Sequence, residues 1–130
     1  MIRWLAALLA FTTSAQAACL SYQGRVRLEG VLERVVLPGP PNYSSVAEGD
    51  RAETPFLLRP ATPICVTQGS TVQEEAEHQM PRLQLLLEAG QYQTLVPLLG
   101  RRVRLSGQLM HAQTGHHHTA VLLQAVRRER

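Results

Sequence analysis

Lysine is absent from this chain of 130 residues, and aspartate occurs once, as Asp50. All 13 basic side chains are arginine. A Ser-His-Asp arrangement therefore has only Asp50 to draw on, and no spacing singles out a glutamate in its place. Aromatic residues make up 5% of the chain. Binding of single-stranded nucleic acid needs stacking rings along a basic groove. Phe56 and Tyr92 have the spacing of core residues, and the formal net charge is only +3. Nucleic acid is therefore a disfavoured partner. Two cysteines cannot make a four-thiolate metal site, and no glycine-rich phosphate loop is present. No apolar run approaches the roughly 20 residues that a membrane-spanning helix requires.

The first seventeen residues have the three parts of an export signal. Arg3 gives a positive start, Trp4 to Phe11 is apolar, and Ala15-Gln16-Ala17 is a cleavage site. This predicts a periplasmic or secreted protein with residues 18–130 as one domain and no transmembrane segment after cleavage. In an oxidising compartment Cys19 and Cys65 form a disulfide, worth about 4 kcal/mol on the chain-entropy model. The alternative for Cys19 is lipidation, although Gln16 stands where a lipidated cysteine usually has leucine three residues before it.

The pattern along the rest of the chain is mainly β. Arg25-Val26-Arg27-Leu28-Glu29-Gly30-Val31-Leu32 is echoed by Arg102-Val103-Arg104-Leu105-Ser106-Gly107-Gln108-Leu109, with six of eight positions identical. Both alternate apolar and polar residues, so each buries one face and leaves its arginines wet. Both carry a mid-strand glycine, where a bulge or bend lets a sheet coil. The first strand runs to Leu37, and Pro38 opens a loop to about Glu53. Phe56–Leu58, Ile64–Val66 and Arg82–Leu87 read as strands, with a polar, mobile loop over Thr67–Met80. Tyr92, Leu95, Val96 and Leu99 have helical spacing, interrupted by Pro97 and ended by Gly100. Arg102–Met110 and Thr119–Val126 close the pattern, and Arg127–Arg130 is a solvated end. This order predicts a small OB-like five-stranded barrel with one short helix before the last two strands. A small sandwich and an α+β roll are the competing architectures.

Four of the five histidines fall in the run His111-Ala112-Gln113-Thr114-Gly115-His116-His117-His118-Thr119. If Thr114-Gly115 is a two-residue hairpin turn, His111 faces His118 across the strands. His111, His116 and His118 then share one face, with His117 on the other. No cofactor is fixed by the sequence, but three such imidazoles suit Zn²⁺, Cu²⁺ or Ni²⁺. A one-residue slip reverses the faces. Each ligating ring also usually has a carboxylate or carbonyl partner, and nothing in the sequence brings Glu53 or the Glu74–Glu77 stretch near. The other reading has the histidines tying the barrel end together by hydrogen bonds.

The chain resembles the exported bacterial proteins grouped as domain-of-unknown-function family 4431. The residues that carry the resemblance are Gly39-Pro40-Pro41-Asn42-Tyr43, Gly49-Asp50, Pro63-Ile64-Cys65-Val66 and Leu99-Gly100-Arg101-Arg102-Val103, then the histidine run with Val121-Leu122-Leu123. Met110, Gln113 and Ala120 stand where that family has Phe, His and Pro. The resemblance implies an exported small domain and supplies no mechanism.

The functional expectation is a non-enzymatic binding module for an unknown periplasmic or extracellular ligand. Its working surface is the histidine hairpin, with His117 and Thr114, joined by Asn42, Tyr43 and Asp50 of the Pro38–Asp50 loop. One alternative is a periplasmic transition-metal binder that uses His111, His116 and His118. Another is a hydrolase-type enzyme with a histidine acid or base.

Overall fold

The computed structural model describes residues 7–10 and 18–130. The export signal read over residues 1–17 lies largely outside the described residues. Among those described, no helix is long and apolar enough to cross a membrane.

The strands are β1 (Val26–Arg34), β2 (Leu37–Pro38), β3 (Ala52–Glu53), β4 (Phe56–Pro60), β5 (Ile64–Val66), β6 (Glu77–Met80), β7 (Leu83–Leu85), β8 (Arg102–His111) and β9 (Val121–Glu129). The helix α1 (Ala89–Leu95) and a 3₁₀ turn over Val96–Leu98 lie between β7 and β8. Five strands close into a barrel in the order β1-β4-β7-β9-β8 and back to β1. All its pairings are antiparallel except β7 with β9. This is the expected OB-like barrel, with its single short helix in the expected place.

The mid-strand glycines explain how so short a sheet closes. Gly30 pairs with Val103 on one side and Pro60 on the other, where β1 passes from β8 to β4. A β-carbon there would fall 2.5 Å from the Arg59 carbonyl oxygen, so only glycine permits the approach. Gly107 sits at the register shift between Ser106 and Gln108, a bulge against β9. The barrel fills with Leu28, Leu32, Leu58, Leu83, Leu105, Leu109, Val121 and Leu123. The arginines of the two echoed segments (Arg25, Arg27, Arg102, Arg104) are exposed, and Arg102 and Arg104 both pair with Glu29.

The helix starts at Ala89, three residues before the first of the helically spaced apolar residues, Tyr92, and the Gln91 side chain accepts from the Glu88 backbone N–H at 2.9 Å. It ends before Pro97, which forces the tighter 3₁₀ turn.

Three features depart from the sequence expectation. The expected Pro38–Glu53 loop carries the two-residue strands β2 and β3, paired Leu37 with Glu53. Part of the expected mobile Thr67–Met80 loop is β6, paired with β5 in a hairpin beside the barrel. The last strand does not stop at the expected Val126, because β9 continues through Arg127–Glu129 opposite Arg104–Ser106, although the arginine side chains are solvated as expected.

Cys19 and Cys65 form a disulfide. It uses the Cys19 sulfur that lipidation would need. Leu20 bridges to Val66 beside it, and Tyr22, 1% exposed, anchors the N-terminal segment in the core.

Candidate functional site

Glu53 is held by the small β2–β3 ladder, and a β-carbon at the neighbouring Gly39 would fall 2.6 Å from its Cγ. Glycine at 39 lets the glutamate stem lie flat on the loop. The Glu53 carboxylate accepts from His118 Nε2–H at 2.9 Å and His116 Nδ1–H at 2.5 Å. Burial pushes the Glu53 carboxyl up, but the hydrogen bonds and charge of the two histidines outweigh it and hold the group below its ordinary value.

The loop between β8 and β9 is longer than the expected hairpin turn, and this corrects the predicted convergence of His111, His116 and His118. The ladder stops at His111–Val121, followed by one bond from Ala112 N–H to the Ala120 carbonyl at 2.9 Å. The turn centres on Gly115-His116, closed from His117 N–H to the Thr114 carbonyl at 3.1 Å. Gln84 of β7 imposes this shape. Its side-chain amide donates to the His116 carbonyl at 3.0 Å and accepts from the His118 N–H at 2.6 Å. Its own backbone N–H donates to Thr119 Oγ1 at 2.9 Å. Residues 116, 118 and 119 therefore bond to Gln84 of β7, and the backbone ladder does not continue from residues 111–113 into residues 116–119.

The three histidines are divided between two carboxylates. His116 and His118 share Glu53, while His111 meets Glu77 Oε1 through Nε2 at 2.9 Å and the Ala112 carbonyl through Nδ1 at 3.2 Å. The bond to Glu77 raises the His111 pKa against the opposing effect of burial. His117 faces neither carboxylate. Its Nδ1 accepts from the Gln113 N–H at 2.9 Å, and burial, then the neighbouring His116 and His118, push its pKa down. Thr114 acts within the loop, its Oγ1 accepting from the His116 N–H at 3.2 Å.

The loop after β1 does reach the histidines. Tyr43 packs edge-on against His116 with ring centroids 5.6 Å apart, its hydroxyl 3.4 Å from Nε2. Asp50 has a different task from the expected surface contact. It is buried and accepts from the N–H groups of Asn42, Ser44 and Ser45 at 2.8–3.0 Å. Those backbone bonds hold its carboxyl down to about 2. Asn42 supplies one of these donors, so Asn42 and Asp50 shape the loop that presents Tyr43.

Between the two loops lies a cleft of about 640 Å³, lined by Glu53, His116, His118 and Gln84 and by Arg34, Phe56, Tyr92 and Val96. Phe56 is a core residue as expected. Tyr92 is not, since it stands 37% exposed with its ring edge-on to Phe56 at 5.2 Å. Glu53 is a candidate carboxylate that nothing in the sequence brings near the histidines, and Gln84 is not predicted as a site residue. Gln84 carried one available signal, a lone polar side chain within the apolar Leu83–Leu87 strand.

Comparison with curated proteins and with solved structures gave no match. A match to a protein family covers residues 82–128, from the start of β7 almost to the end of β9, and so includes Gln84 and the whole histidine run. The Gly39–Tyr43, Gly49-Asp50 and Pro63–Val66 segments lie outside it. The family matched over residues 82–128 is the one the sequence resembles, described as Domain of unknown function (DUF4431).

Proposed function

We propose that this protein is an exported, non-enzymatic binding module whose ligand sits in the cleft between the loop after β1 and the loop between β8 and β9. The observation that carries the reading is the Glu53 carboxylate, which joins the two loops by bonding both His116 and His118. OB-type barrels use these two loops and the adjoining strand face to bind oligomers. Export to an oxidising compartment is supported by the leader pattern and the Cys19–Cys65 bond.

The lining narrows the ligand class. A carboxylate and imidazoles beside an exposed ring suit a neutral chain with hydroxyl donors and an apolar face, such as an oligosaccharide. One arginine against one glutamate gives no field for a polyanion. The test is amide chemical-shift mapping with cell-wall glycan fragments and with a single-stranded oligonucleotide of similar length. The reading expects shifts from the glycan at residues 43, 53, 84, 92 and 116–118. Shifts from the oligonucleotide alone, or no shifts in this region, reject it.

One contact favours a second reading. With Glu53 on Nδ1, His116 Nε2 is left facing the Tyr43 hydroxyl, the arrangement of a carboxylate-oriented general base. Release of new reducing ends from the same glycans, lost in His116→Ala, would favour this second reading over the first.

A further inference from the structure

Glu75, Glu77 and His111 bring one ligand atom each to within 4.8 Å of one another, the one such trio of His, Cys, Asp or Glu donors among the described residues. They come from two distant parts of the chain. Glu77 opens β6 opposite Val66, next to the disulfide-bonded Cys65. The Glu75 backbone is fixed by the Tyr22 hydroxyl, which donates to its carbonyl at 2.5 Å. His111 ends β8 and is anchored opposite Val121. The backbones are thus braced while the exposed Glu75 side chain is free to swing in.

The histidine is already oriented as a ligand. The Ala112 carbonyl can only accept, so it keeps the hydrogen on Nδ1 and turns Nε2 toward the carboxylates. A backbone carbonyl on the far nitrogen is the usual support of a metal-bound imidazole. Donors around a tetrahedral zinc ion, bound at about 2.0–2.2 Å, lie about 3.4 Å apart. From separations of up to 4.8 Å, closure by at most about 1.4 Å, available to the exposed Glu75, is enough, while the His111–Glu77 pair at 2.9 Å opens by about 0.5 Å to admit the ion. Three protein donors then leave a fourth position for water.

The geometry points to a divalent transition-metal site, fitted best by Zn²⁺, formed by Glu75, Glu77 and His111. It does not depend on the cleft reading, since it shares no side chain with Glu53, His116 or His118. It places metal on one of the three histidines the sequence suggested, with two glutamates in place of the other two.

The test is calorimetric titration with ZnCl₂ of the disulfide-bonded protein, prepared without a histidine tag. Wild type is expected to take up one equivalent, with affinity weakened on the order of 10-fold or more in Glu75→Gln and further in Glu75→Gln/Glu77→Gln. Glu75 is exposed, so its substitution leaves the fold intact even where His111→Asn fails to fold. Negligible heat with wild type overturns the proposal. So does zinc binding that survives the double variant, or that is lost in Glu53→Gln in place of Glu75→Gln, which would move the metal to the cleft.

Discussion

The ring of Tyr43 lies so close to Gly115 that a β-carbon there would sit 2.6 Å from the ring's Cζ. Glycine at 115 is therefore what lets the loop after β1 close over the histidine loop. The crowded atoms belong to the far end of a side chain, which can move. Gly115→Ala is expected to swing Tyr43 away from His116 at a stability cost below about 1 kcal/mol, at or under the low end for an added methylene in a packed site. Loss of the Tyr43–His116 cross-peaks in an NOE spectrum, with an almost unchanged denaturation midpoint, is the result to look for.

Gln84 is the internal support of the same loop, and it is 7% exposed. Gln84→Ala leaves the His118 N–H and the His116 carbonyl without their partners. The expected loss is about 1–3 kcal/mol, measured by urea denaturation, with faster hydrogen exchange at the His118 amide. Gln84→Glu keeps the acceptor for His118 but loses the donor to His116, and is expected to fall between the two.

Asp50 makes the loop that presents Tyr43 sensitive to acid. Its carboxyl is lowered from an ordinary 3.8 to about 2, so the folded state favours the charged form. Its contribution is complete above the ordinary value and disappears as the pH falls to 2. Asp50→Asn is therefore expected to lower the melting temperature at pH 6, with the difference from wild type vanishing near pH 2. A difference that stays constant across this range would show that the loop is held by something else.

The barrel was legible because its signals are local. Alternation in the two echoed strands and the helical spacing around Leu95 each reflect a neighbour within a few residues, and the two glycines stand out within those strands although the strands that crowd them, at Arg59 and at Leu123-Gln124, are distant in the chain. What could not be read depends on distant partners. β6 is polar and bends at Gln79 with φ of 55°, so it has no strand periodicity, and it exists because β5 pairs with it. Arg127 and Arg128 look by composition like a solvated end beyond the strand, yet the buried Val126 before them draws the strand on along β8. The carboxylates that serve the histidines lie 34, 63 and 65 residues away from them in the chain. The missed turn position has the same origin, since Gln84 fixes it from β7, 32 and 34 residues away from the two groups it bonds.

The division of the histidines between Glu53 and Glu77 is tested most directly by long-range proton–nitrogen spectra of the imidazole rings in wild type and Glu53→Gln. The account predicts that the ring nitrogens of His116 and His118 both shift while those of His111 stay in place. Movement of His111 together with the other two, or no response from His116 and His118, would contradict it.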